Sequence, residues 1–376
     1  MERPLSPATL LARADKKAGR EGEPTVAQPQ LAAAYHLDGP AEGVAHTYGR
    51  QANSSWEDLE GAFASLTGGV AVSFASGIAA AAATIEVLSP AERPLAIVED
   101  GYYGIRRLAE DTASRSGRRL VLLPSAGDEA VALINETRPG LVWLESPTNP
   151  GLQVTDLRAV SEVCVANGAR LVLDETLVTP LGRNPLEYGA DVAVYSATKY
   201  ISGHSDILMG LALTADESLA AELRSWRHSR GAIPGPFEAW LCLRGMKTLE
   251  LRLSRQCANA QVIAEWLEAD GRLRNVCYPG LASSPFHNLA RRDMKLFGGV
   301  VTADAPDAAT ADELVRRLEL FTDATSFGGI ASSVDRRSRW SGEAAADGLL
   351  RFSVGCESVD DLMADLDQGL AHVFGS

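Results

Sequence analysis

The stretch DVAVYSATKYISGHSD, Asp191 to Asp206, carries an apolar run, VAVY, that stops at Ser196-Ala197-Thr198-Lys199 and gives way to a Gly-His-Ser turn. A short run rich in β-branched and aromatic residues, bounded by small polar ones, reads as a buried strand. Surface lysines are normally flanked by solvated residues, whereas Lys199 follows this strand directly and sits among small hydroxyls. A helix cap has no use for an amine there. The placement makes Lys199 a candidate for chemistry at a strand end.

Working outward, the same pattern repeats. AVSFAS precedes GIAAAAATIEVL, LAIVED precedes YYGIRRLAEDTA, and RLVLLP precedes DEAVALINET, with GLVWLES and RLVLDET following before DVAVYSA. Apolar strands that each feed a helix predict an α/β fold with a mostly parallel sheet covered on both faces. In such sheets ligands bind beyond the carboxyl ends of the strands. That rule selects Ser76-Gly77, Asp100, Glu145-Ser146, Asp174-Glu175 and the 196–199 turn, which places acids, hydroxyls and one amine along a single edge.

Past about residue 236 the pattern changes. A long helical stretch, AWLCLRGMKTLELRLSRQCANAQVIAEWLEAD, is followed by strand-like FGGVVTADA and LLRFSVG, each succeeded by a helical pattern. This predicts a smaller α+β C-terminal domain over 237–376, beside a large domain over 47–236. Residues 1–46 are rich in Ala, Pro, Gly and charge, with one short helical pattern around Pro7 to Ala18. They read as an arm, either disordered or docked on a partner.

The chain of 376 residues is long enough for two domains and a sizeable core. Its 35 basic against 49 acidic residues give a net charge of −14, which argues against a nucleic-acid or anionic-membrane partner. No segment reaches the apolar length of a membrane span. The five cysteines are scattered and form no C-x-x-C pair, so neither a disulfide framework nor a metal site is expected and a reducing, cytoplasmic setting is. The first residues lack the apolar core of a signal peptide.

An amine that is partly desolvated loses its proton readily and becomes nucleophilic, so Lys199 is suited to forming a Schiff base. Pyridoxal 5′-phosphate (PLP) would further need a carboxylate at its ring nitrogen, donors for its phosphate and a ring against its face. Asp174, at the end of RLVLD, is a candidate for the first, although an aspartate there also suits a local cap. Ser76-Gly77, between a strand and a helix start, suits a phosphate, as it does any ordinary strand-to-helix turn. Ser196 and Thr198 would add hydroxyls. No G-x-x-x-x-G-K-[ST] or G-x-G-x-x-G motif points to a nucleotide.

Taken in order, HTYGRQANSSWEDLE, VSFASGIAA, LESPTNPGLQVTD, RLVLDETLVTP, YSATKYISGHSD, RGMKTLELR and LRFSVGCESVDDLMADL resemble the Cys/Met-metabolism PLP-dependent enzymes, the family of cystathionine γ-synthase, cystathionine γ-lyase and methionine γ-lyase. The resemblance runs from about residue 46 to the C-terminus. It implies PLP transferase fold type I, with a seven-stranded sheet, and a cytoplasmic enzyme of amino-acid metabolism. Lys199 resembles the Schiff-base lysine and Asp174 the partner of the pyridine nitrogen. Tyr102 looks like the ring that stacks on the cofactor and helps move protons, the plainer alternative being a core aromatic. Gly77, Ile78, Ser196 and Thr198 look like the phosphate cradle. Tyr48 and Arg50 resemble a pair that reaches the phosphate from the neighbouring subunit, which implies a homodimer or homotetramer with shared active sites. Arg351 resembles the arginine that holds the substrate α-carboxylate, helped by Asn149 and Ser326; otherwise it is a surface arginine at a strand start. The implied activity is γ-elimination on a sulfur-containing or γ-activated amino acid. γ-Replacement, a specialised substrate with another leaving group on Cγ, and a PLP-binding protein without turnover are the alternatives.

Several positions depart from the family pattern. DNTF is DETL here, with Glu175 and Leu177; NPT is NSS at Asn53 to Ser55; and Ala331 stands where many relatives carry Glu. In the family these positions lie near the substrate side-chain pocket. Ala331 is therefore expected to remove a negative charge from that pocket, and Arg336, Arg337 and Arg339 are either attractors of an anionic leaving group or a solvated charge run.

Overall fold

The computed structural model describes residues 5–19, 21–90, 92–125, 128–342 and 345–375, which form two sheets of seven and five strands. The larger is built from β1 (Val70–Phe74), β2 (Leu95–Val98), β3 (Leu120–Leu123), β4 (Leu141–Glu145), β5 (Arg170–Asp174), β6 (Val192–Ser196) and β7 (Gly210–Thr214). Their order is β1-β7-β6-β5-β4-β2-β3. All neighbours pair in parallel except β7, which runs antiparallel between β1 and β6.

Burial explains the apolar runs. Every residue of β2, β4 and β7 is buried, because helices cover both faces. The helix Gly77–Leu88 crosses one face with Ala80, Ala81 and Ala83 turned inward, and side chains this small let it lie close to the strands. The antiparallel β7, within ILMGLALT, was not separated from its surroundings by sequence reading.

β8 (Arg274–Cys277), β9 (Val300–Asp304), β10 (Thr322–Asp323), β11 (Ser333–Arg336) and β12 (Leu349–Ser353) make the second sheet in the order β10-β11-β12-β9-β8. The single long helix expected after residue 236 is in fact two, Pro236–Met246 and Leu249–Asp270. The chain breaks at Lys247-Thr248, where the Lys247 ammonium bonds Asp15 at 2.8 Å. Gly245 ends the first helix against the Ser202 carbonyl, which leaves no room for a Cβ.

The N-terminal segment docks on its own chain. Leu11 and Ala27 are buried in the same apolar cluster as Trp56, Leu243 and Leu253, and Trp240 donates to the Ala27 carbonyl at 3.1 Å. No helix among the described residues is long and apolar enough to cross a membrane.

Candidate active site

Strand register places the site. Phe74 of β1 and Ser196 of β6 both pair with Gly210, so the turns after β1 and β6 emerge side by side. Glu145 and Asp174 end β4 and β5 as direct register partners. A cavity of about 470 Å³ opens at this edge, walled by Ser76, Gly77, Ile78, Tyr102, Glu145, Asp174, Ser196, Thr198 and Lys199 from the larger sheet. Ser326, Phe327, Arg337, Trp340 and Arg351 close it from the second sheet, and Asn149 contributes from the loop after β4.

Lys199 points across the cavity and donates to the Ser326 hydroxyl at 2.6 Å. Burial, with the Arg351 and Arg337 guanidiniums nearby, lowers its pKa to about 8, so roughly a tenth of the amine is unprotonated at about pH 7. The Phe327 ring lies 5.1 Å from the ammonium and 5.5 Å from the Arg351 guanidinium.

Asp174 keeps one oxygen on Thr176, accepting its N–H at 3.0 Å and its hydroxyl at 2.6 Å. The local turn and the cavity position therefore coexist. Burial raises the Asp174 pKa against those bonds, which is the state of a carboxylate suited to a cationic partner.

Gly77 opens the helix Gly77–Leu88, and a Cβ there would come 2.9 Å from the Ser196 Cβ. Only glycine lets this helix N-terminus approach the end of β6. Ser76 caps the helix by accepting from Ala79 N–H at 3.2 Å. The Thr198 hydroxyl is committed to Met209, accepting its N–H at 2.9 Å and donating to its carbonyl at 3.3 Å, so it braces the lysine turn.

On the opposite wall Arg351 donates to the Asn149 side-chain carbonyl and to the Ser326 backbone carbonyl, each at 2.8 Å. At 3 % exposure it is a buried arginine, which answers the surface alternative. Ser326 holds a φ of 85°, a conformation rare for a residue with a Cβ and found where neighbours over-determine the backbone. Tyr102, 38 % exposed, stands before the helix Tyr103–Ser116, which makes it no core aromatic.

Tyr48 and Arg50 do not line this cavity; Arg50 donates to the His228 carbonyl at 3.3 Å and stacks on Tyr48 at 5.6 Å. The expectation that Ala331 borders the pocket is also corrected. Ile330 N–H donates to the Gly203 carbonyl at 3.0 Å and Cys356 N–H to the Ile330 carbonyl at 2.8 Å, which leaves Ala331 exposed and off the wall. Asn53 caps a helix by accepting from Ser55 N–H at 2.9 Å, and Leu177 is in the core. Glu175 is fully buried on Arg183, 2.7 Å away. Of the three arginines, Arg336 pairs with Asp312 and Arg339 with Asp323, each at 2.6 Å, and Arg337 alone among them reaches the cavity, bonded to Asp335 at 2.5 Å.

Phe327 and Trp340 line the cavity without any expectation from the sequence, whereas Arg337 is the one of the three candidate arginines that the cavity takes up. Phe327 is adjacent in sequence to Ser326; Trp340 carries no local signal, and the charge run around Arg337 does not say which of its arginines faces inward, since that depends on the pairing of β11 with β12.

Residues 8–371 match the family described as Cys/Met metabolism PLP-dependent enzyme. A putative cystathionine γ-lyase of Streptomyces coelicolor is 40 % identical over 353 residues, covering 93 % of this chain and 89 % of that protein. Among solved structures, the cystathionine γ-synthase of Xanthomonas oryzae pv. oryzae in complex with cystathionine superposes with a TM-score of 0.94 at 32 % identity, covering 99 % of both chains. An apo methionine γ-lyase from Micromonospora echinospora gives 0.92 at 34 % identity, with 98 % of this chain and 99 % of that one covered.

Proposed function

Since the chain belongs to the Cys/Met metabolism PLP-dependent enzymes, we propose that it is a carbon–sulfur lyase, releasing the γ-substituent of a sulfur-containing or γ-activated amino acid in the manner of a cystathionine γ-lyase. The observation that carries the reading is the meeting in one cavity of a nucleophilic lysine, Lys199, a buried acid, Asp174, and a buried guanidinium, Arg351.

The residues fit PLP by their donor chemistry. Lys199 suits the aldehyde, Asp174 the ring nitrogen, Tyr102 the ring face, and the helix N-terminus at Ser76, Gly77 and Ile78, with Ser196 alongside, the phosphate, while Thr198, whose hydroxyl proton goes to the Met209 carbonyl, lines the cavity and braces the turn. When bound, PLP supplies an electron sink that stabilises charge left on the substrate carbon once its proton departs.

The chain's own residues supply the rest. Arg351, oriented by Asn149 and the Ser326 carbonyl, forks onto the substrate α-carboxylate and fixes which Cα bond faces the lysine. Lys199 Nζ takes the Cα proton, then serves Cβ; its lowered pKa lets it do so near neutrality. The Tyr102 hydroxyl moves a proton to the departing sulfur. Water completes the balance, so that a thiol, a 2-oxo acid and ammonia leave.

Tyr48 and Arg50, lying off their own chain's cavity, support an assembly in which each reaches a neighbour's phosphate. A homodimer or homotetramer in the cytoplasm is the corresponding proposal, with 1–46 as arm, 47–236 as cofactor domain and 237–376 as substrate-closing domain. The activity is tested by measuring 2-oxobutanoate, ammonia and the departing group, a thiol or sulfide from cystathionine or homocysteine and a carboxylate from O-acetylhomoserine or O-succinylhomoserine, with and without added cysteine. Equal release of the three elimination products supports the lyase; a γ-substituted amino acid forming in their place with added cysteine refutes it in favour of replacement.

A further inference from the structure

One buried acid in the cavity has no part in the chemistry above. Glu145 ends β4 at 6 % exposure, beside Asp174 in register, and its Oε2 accepts the Tyr102 N–H at 2.7 Å. Tyr102 begins a helix, Tyr103–Ser116, that has no side-chain cap of its own. The nearest capping group is therefore supplied from another strand, at the helix end where an acceptor is favoured.

The fit of this contact is close. A Cβ on Gly101 would lie 3.0 Å from Glu145 Oε2 and 2.8 Å from Val98 Cγ1, so glycine is what allows the Asp100-Gly101-Tyr102 turn to rest on the carboxyl group. A second tie secures the same turn, since Thr148 donates to Asp100 at 2.9 Å. Both ties come from the end of β4 and the loop beyond it, and that loop continues to Asn149, which orients Arg351. One short segment thus sets both the ring expected on the cofactor and the guanidinium expected on the substrate.

We propose that Glu145 is a positioning residue: it places the Tyr102 ring through the Tyr102 backbone N–H and acts on catalysis by that route. The inference rests on the proposed PLP-dependent reading of the site. Burial, followed by the charges of Asp174 and then Asp100, pushes the Glu145 pKa well above the usual carboxylate range.

The test compares Glu145→Gln, which retains an acceptor without charge, with Glu145→Met, which keeps the volume and removes the acceptor. Cofactor absorbance and circular dichroism establish that each variant is folded and loaded. Glu145→Met is expected to lower kcat about 10- to 100-fold, the scale for misplacement of a reacting group by about an ångström. Glu145→Gln should recover to within about threefold of the unaltered enzyme, on the view that the acceptor and not the charge is what counts. In a Tyr102→Ala background Glu145→Met should change kcat by less than about threefold, because the ring it positions is gone. Should Glu145→Met not fold, the Gln variant decides alone: near-native kcat with an unshifted cofactor band supports the proposal, and a loss of more than about tenfold overturns it. Equal impairment of the Gln and Met variants, or a full effect of Glu145→Met in the Tyr102→Ala background, would also overturn it. An unaltered protein that takes up no PLP or turns over no amino acid refutes the function itself, an outcome separate from these.

Discussion

The amine of Lys199 should capture PLP with a pH dependence set by its surroundings. An ordinary lysine titrates near 10.4, so at about pH 7 only about 0.04 % of it is the free amine. With the pKa lowered to about 8 by burial, then Arg351 and Arg337, the free fraction at about pH 7 is roughly a tenth, a gain of about 200-fold. Apoprotein mixed with excess PLP in a stopped-flow spectrophotometer should therefore show a capture rate that climbs with pH and levels off above a midpoint near 8. Replacing Arg351 by Met removes the larger of the two cationic influences and should move the midpoint upward. Borohydride reduction followed by peptide mapping identifies the captured lysine. A rate that keeps rising without a plateau through about pH 10 would refute the view that burial and neighbouring guanidiniums tune this amine.

Other perturbations have defined outcomes. Arg351→Met should raise KM for the amino acid by roughly 10- to 150-fold, the value of a charge-assisted hydrogen bond of about 1.5–3 kcal/mol, with PLP affinity little altered in equilibrium titration at a pH above the lysine's shifted midpoint. Gly77→Ala must push its helix away from Ser196, whose Cβ would lie 2.9 Å from the added methyl; the expected result is PLP binding weakened by at least about tenfold, read by dialysis. Glu175→Gln leaves the buried Arg183 without its ionic partner and should cost about 3–5 kcal/mol in urea unfolding, whereas a Glu175→Leu, Arg183→Met double variant should recover most of it.

Much of the larger sheet was legible because its signal is local. Each strand is a short apolar run, each turn after it carries the polar residue that matters, and Lys199, Asp174 and Gly77 could be picked out before any packing was known. β7 follows β6 with no helix between them, which breaks the strand-then-helix alternation that marks the other strands. β8 and β10 carry weak patterns for physical reasons: β8 is largely exposed with a shifted register, and β10 is two exposed residues. Trp340 meets the cavity through pairing between strands, which no local pattern encodes, and the same pairing selects Arg337 from a run of three candidate arginines. The position of Ala331 was misjudged because backbone bonds from Ile330 to Gly203 and Cys356, invisible in sequence, turn it outward.

The helix Leu249–Asp270 has a consequence for how the protein comes apart. Its first turns, with Leu249 and Leu253, are packed into the core that includes Tyr195 and Met209, while Ala260, Ile263, Ala264 and Leu267 belong to the core beneath the second sheet. A single rigid rod thus has one end anchored in each body. Melting either half strips the rod of packing that the other half uses, so the two bodies are expected to lose their structure in one transition, and a fragment cut on either side of the rod is expected to be less stable than the whole chain.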